Sequence, residues 1–169
     1  MFRKIERTTI LNVLRCGLFL VVLYLIQGVI MPWFSFGWTP LLFVPAAVGI
    51  GLFTDSGTGA FFGLFAGIFC DFALSRPTIV FTLALTLAGL LTGYLGDTVI
   101  SKRFVPYVSL CLVFLLAAWF IQVFPLLFFR GASLRDMLPS AILQLVASLV
   151  CSAVMYPILK RLARKMSKT

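Results

Sequence analysis

From Cys16 to Thr54 the chain carries no charged side chain. No other feature narrows its possible folds as much. A soluble domain carries about 25% charged residues, because something must cover its core. Here 11% of the sequence is charged and 62% is hydrophobic, with a mean hydropathy of +1.12. Lipid is the solvent that accepts so much apolar side chain on the outside of a fold, so an all-α integral membrane protein is expected. Residues 1–169 are read as a single polytopic membrane domain.

A span needs about 20 apolar residues, so the first charge-free run is too long for one helix. The stretch Met31-Pro32-Trp33-Phe34-Ser35-Phe36-Gly37-Trp38-Thr39-Pro40 interrupts it. Proline ends helices and tryptophan settles at the headgroup boundary. Turns are read at Asp55–Gly59, Ser75–Pro77, Asp97–Arg103 and Arg130–Asp136. Six transmembrane helices result, at about 15–31, 39–53, 57–72, 78–96, 104–128 and 138–159, with kinks expected at Pro45 and Pro125. Ahead of the first, Phe2, Ile5, Ile10 and Val13 fit either a short interfacial helix or a frayed end. The basic-then-apolar front resembles a signal peptide but lacks a small-x-small cleavage site, so an uncleaved first helix is expected.

The net charge of +9 is gathered at the two ends. Arg3, Lys4, Arg7 and Arg15 stand at the front, and Lys160, Arg161, Arg164, Lys165 and Lys168 at the back. With both termini cytoplasmic, six crossings also put Lys102 and Arg103 inside and leave Arg76, Arg130 and Arg135 outside. This follows the positive-inside bias, whereas five crossings would export the basic tail. Placement of this kind serves orientation and anionic lipid rather than nucleic acid. Arg3, Lys4, Arg7, Lys160, Arg161, Arg164 and Lys165 are the candidate headgroup contacts, each worth roughly 1 kcal/mol.

Catalytic chemistry has little to build on. The chain has no histidine and five acidic residues, which removes the usual general base and does not readily furnish a two-metal site. Cys16, Cys70, Cys111 and Cys151 lie singly within apolar runs, with neither redox nor metal spacing, and are expected as free thiols. Ser109, Ser140, Ser148 and Ser152 lack a neighbouring base, and Gln122 and Gln144 are expected to hydrogen-bond between helices. No enzyme, cofactor or metal is expected.

The densest pattern is Gly59, Gly63, Gly67 and Asp71, four residues apart and therefore one stripe on a helix. Small residues in such a row let another backbone come close, which in lipid drives association. Gly89, Gly93 and Asp97 repeat the phrase, and Ala47, Gly51 and Asp55 give a looser copy. Gly59, Gly63, Gly67, Asp71, Gly89 and Gly93 are the candidate partner or helix-packing residues. Asp55 reads as a helix cap, and Asp97 as a solvated acid beside Lys102 and Arg103. Asp71 ends an apolar run, where a carboxylate costs about 2.5 to 3.5 kcal/mol on insertion scales. It is open to two readings, an ion pair with a group such as Arg76 or a functional contact.

With its six helices, Met31-Pro32-Trp33, Pro40 and the G-x-x-x-G-x-x-x-D of Gly63, Gly67 and Asp71, the chain resembles the MreD family. These are rod shape-determining proteins of the bacterial inner membrane. The likeness runs from about Leu25 to Gly96. The family's usual glycine after that aspartate is missing from Ser75–Ile79. The resemblance implies a non-enzymatic scaffold of lateral cell-wall synthesis, regulating cell shape through an MreC-like partner, with MreB, RodA and a class B penicillin-binding protein nearby. It also implies a fold similar to the substrate-binding subunits of energy-coupling-factor vitamin transporters. The alternative is therefore a small-molecule transport subunit, with Trp33, Trp38, Asp71, Arg76 and Trp119 as candidate cavity residues. Gly17–Tyr24 lacks the alanines four apart with which those subunits dock their energising partner, and this counts against that alternative.

Overall fold

The computed structural model describes the backbone of residues 2–34, 39–73, 79–98, 102–130 and 134–167. Side chains are described at 13–31, 33, 39–73, 79–98, 102–124 and 138–162. Every regular element among them is helical. In chain order these are α1 (Phe2–Leu25), a π-helical segment (Ile26–Ile30), α2 (Met31–Phe34), α3 (Phe43–Phe53) and α4 (Ser56–Ala73). They are followed by α5 (Val80–Thr98), α6 (Phe104–Arg130) and α7 (Leu134–Ser167). Among the described residues, five stretches are long and apolar enough to cross a membrane: Val13–Ile30, Ser56–Ala73, Val80–Thr98, Phe104–Phe124 and Leu138–Leu162. Their outward faces carry large apolar side chains that are more than half exposed, among them Leu14, Leu18, Leu83, Val105, Phe120, Val150 and Val154. In water such faces would draw chains together, whereas in lipid they are an ordinary surface.

The expected second span departs from this pattern. It was expected as a helix over 39–53, but α3 starts only at Phe43 and has 11 residues, about 16 Å against a hydrocarbon core of about 30 Å. Proline chemistry accounts for the late start. The residue before a proline is pushed away from helical geometry, which affects Thr39 ahead of Pro40. Pro45 has no N–H to donate to the Leu41 carbonyl, and the first bond of the turn runs from Ala46 N–H to the Leu42 carbonyl, 3.3 Å. Pro45 thus sits in the first turn of α3, where proline is tolerated.

Every residue of α3 is buried, and α4, α5, α6, α7 and α1 all touch it. It is the axle of the bundle. The remaining helices show one buried and one exposed face. In α1 the buried positions are Cys16, Leu20, Leu23 and, in the π segment, Gln27, three to four residues apart. The front of the chain joins α1 as continuous helix from Phe2, with no break before the span.

Candidate functional site

Glycine dictates the tightest part of the bundle. The stripe Gly59, Gly63, Gly67 on α4 lies directly against α5, which runs antiparallel to it. A Cβ at Gly59 would run into the Gly89 carbonyl, one at Gly63 into the Leu85 carbonyl, and one at Gly67 into the Thr82 backbone. The reciprocal glycines close the same seam: a Cβ at Gly89 would meet the Gly59 carbonyl, and one at Gly93 the Ser56 backbone. Gly51 brings α3 into the contact, its built Cβ falling on Thr92 Oγ1 and the Gly89 carbonyl. The three glycine phrases of the sequence therefore meet one another in a three-helix knot. Of the two uses open to this face, a partner or packing within the chain, the structure shows packing, against the chain's own α5.

Asp71 closes one end of that seam. Its Oδ2 accepts from Thr82 N–H at 3.0 Å and from Thr82 Oγ1–H at 2.7 Å. Thr82 is the third residue of α5, so its N–H is among those a helix leaves unpaired at its start. The carboxylate also meets the positive end of the α5 dipole. Asp71 thus caps α5 from α4. Its Oδ1 is buried with no partner among the described residues. Arg76, named for the ion-pair reading, lies outside the described residues, as do Trp38 and the missing-glycine turn 75–78.

The other two aspartates belong to the opposite end. Asp55 caps α4 locally, accepting Thr58 N–H at 3.0 Å and Thr58 Oγ1–H at 2.7 Å. Partial burial pushes its pKa up, but the hydrogen bonds from Thr58 and Gly57 and the charge of Lys102 outweigh this and hold it below the usual carboxylate value. Lys102 Nζ donates to the Thr54 carbonyl at the end of α3, 3.2 Å, and stands 3.8 Å from Asp97 Oδ1 at the end of α5. One ammonium thus neutralises the C-terminal ends of two helices. Both members of the Lys102–Asp97 pair are exposed, so the pair itself adds little.

A second cluster was not foreseen as a site. The non-helical residues before α3 are held by side chains. Gln144 Nε2 donates to the Thr39 carbonyl at 2.8 Å, Leu41 N–H to Ser148 Oγ at 2.9 Å, and Leu42 N–H to Gln27 Oε1 at 2.9 Å. Ser148 Oγ in turn donates to the Gln144 carbonyl at 2.7 Å. Irregular backbone at membrane depth is tolerated only where protein satisfies it, and this clamp does so. Gln27 belongs to the π-helical segment, where Met31 N–H reaches the Ile26 carbonyl. That wider turn is the kind of local irregularity found at functional positions. Gln27 Nε2 is buried without a partner among the described residues. The sequence offered glutamine and serine in apolar helices as a signal, but not which backbone they would serve.

The remaining candidates are dispersed. Trp33 is 87% exposed and Trp119 half-buried, while Asp71 is enclosed between α4 and α5. Lys160 Nζ is engaged with Tyr156, 3.1 Å from its hydroxyl and 5.2 Å from its ring centre. Arg161 is exposed beside a groove between α1 and α7. The side chains of Arg3, Lys4, Arg7, Arg164 and Lys165 lie outside the described residues. Comparison with protein-family models, with curated proteins and with solved structures gave no match.

Proposed function

We propose that the chain is a non-enzymatic membrane scaffold. One observation carries this reading: polar side chains within the helices hold the fold's own backbone. Asp71 holds the start of α5, and Gln27, Gln144 and Ser148 hold the approach to α3. Polar groups that rigidify a bundle suit a protein whose outer faces are its working surface. The glycine seam is internal, so a partner would be met on the apolar outer faces. The resemblance of Met31-Pro32-Trp33, Pro40 and Gly63–Gly67–Asp71 to MreD supports placing this scaffold in cell-wall elongation at the bacterial inner membrane, with an MreC-like protein as chief partner.

Six crossings with both termini cytoplasmic belong to the same proposal. Residues 39 to 49 run alongside α7, with Thr39 on Gln144, Leu41 on Ser148 and Gly49 against Leu159. Gln144 to Leu159 covers about 22 Å of helix, within the candidate span Leu138–Leu162. The broken segment therefore keeps pace with a spanning helix and serves as the second crossing.

The transport reading draws on the π-helical segment and the helix break, since discontinuous helices line binding sites in transporters. A gentle-detergent pull-down of tagged protein from its native membrane separates the two. An MreC-like chain in the eluate supports the scaffold. An ATPase module or a tightly held small molecule, with no wall-synthesis protein, overturns it in favour of transport.

A further inference from the structure

The groove between α1 and α7 has a volume of about 410 Å³ and is lined by Arg15, Leu18, Phe19, Val22, Ile158, Arg161 and Leu162. Its chemistry is divided. Two arginines, one from each helix, join five apolar residues in its lining, and none of the described residues that line it is acidic. From Arg15 the wall of α1 continues through Leu18 and Phe19 to Val22, about 10 Å further along the helix. Both arginines lie near an end of their candidate spans, Val13–Ile30 and Leu138–Leu162, where a long basic side chain reaches the headgroup layer.

From this juxtaposition we infer that the groove seats one anionic phospholipid, its phosphate between Arg15 and Arg161 and the upper part of a tail against Leu18, Phe19, Val22 and Ile158. Charge complementarity selects the occupant. A zwitterionic lipid brings its own cation to a site that already has two, and a soluble anion leaves the apolar wall uncovered. A partner helix, about 10 Å across and about 30 Å long, needs a face as deep as the membrane, whereas this groove follows α1 for about a third of that depth. The lipid would bridge the first and last helices of the bundle at the end where they meet. This inference rests on the membrane reading alone and stands or falls apart from the scaffold role.

The test is native mass spectrometry of the full chain, equilibrated with phosphatidylglycerol and phosphatidylcholine of identical tails. The wild type should retain phosphatidylglycerol with a preference of about 10-fold or more, the order expected for two basic residues. Arg15→Gln with Arg161→Gln should abolish the preference, Arg15→Lys with Arg161→Lys should largely restore it, and Val22→Trp should reduce retention by filling the tail site. Unchanged melting curves for the arginine variants keep the reading free of folding effects. Equal retention of the two lipids by the wild type, or a preference that survives the double glutamine variant, overturns the inference. So does a protein chain that leaves the complex on Val22→Trp while bound lipid stays.

Discussion

Asp71 shows how far a single residue can be understood from its position. The sequence marks it as a costly carboxylate after an apolar run, but not that its partner is a backbone N–H eleven residues on. Replacing it with alanine strands Thr82 N–H at the half-buried start of α5 and should cost about 1 kcal/mol. Asparagine keeps an acceptor and should cost less, a difference that thermal melts in detergent will resolve. Equal losses would mean that the cap is not what stabilises α5. Asp55 is simpler, and its role as a cap was legible in Asp55-Ser56-Gly57-Thr58. Its carboxyl titrates below the ordinary value of about 3.9 when folded. The stability it contributes is therefore present above that value and disappears as pH falls through the folded one. Asp55→Ala should lower stability by about 1 kcal/mol at neutral pH, in line with loss of a helix cap, and by progressively less toward pH 3. A penalty independent of pH would point to packing instead.

Among the elements, the α4–α5 seam makes the sharpest forecast. Gly63→Leu and Gly67→Leu drive side chains into the Leu85 carbonyl and the Thr82 backbone, so each should cost on the order of 1 to 3 kcal/mol or more. Leu64→Ile, on the lipid-facing side of the same turn, should be close to neutral. Equal tolerance at the three positions would remove the seam as a structural element. Four-residue glycine spacing made the stripe legible in the sequence, but spacing cannot say which helix fills it, because any close backbone satisfies the pattern. The clamp around Thr39–Leu42 was less legible still. Pro40 and Pro45 announce a break, yet the residues that repair it, Gln27, Gln144 and Ser148, lie up to 107 positions away. Ser148→Ala should leave Leu41 N–H unpaired in the core and cost about 1 to 3 kcal/mol, measured in the same melts. A neutral outcome would show that the N–H finds another acceptor.

For the molecule as a whole, the apolar runs and the charge gaps between them lie within a few residues of the five stretches long and apolar enough to cross a membrane, because a bilayer imposes length as well as composition. Beyond those stretches, α1 and α7 run on as helix. The same arithmetic expected an ordinary helix at 39–53, where the structure has a fully buried half-length α3 behind a clamped break. Burial on all sides explains why hydropathy could not tell the two apart: an axle surrounded by protein is as apolar as a helix surrounded by lipid. The consequence for topology is large, since whether this segment crosses decides the side of every loop after it. A single cysteine placed at Ser101 or at Ser133, in a background lacking the four native thiols, and probed with a membrane-impermeant maleimide on intact cells, tests that claim most directly. Six crossings predict labelling at Ser133 from outside and at Ser101 only after the membrane is opened. Labelling at Ser101 from outside, with Ser133 protected, would mean that the segment does not cross and that the basic tail lies on the outer face.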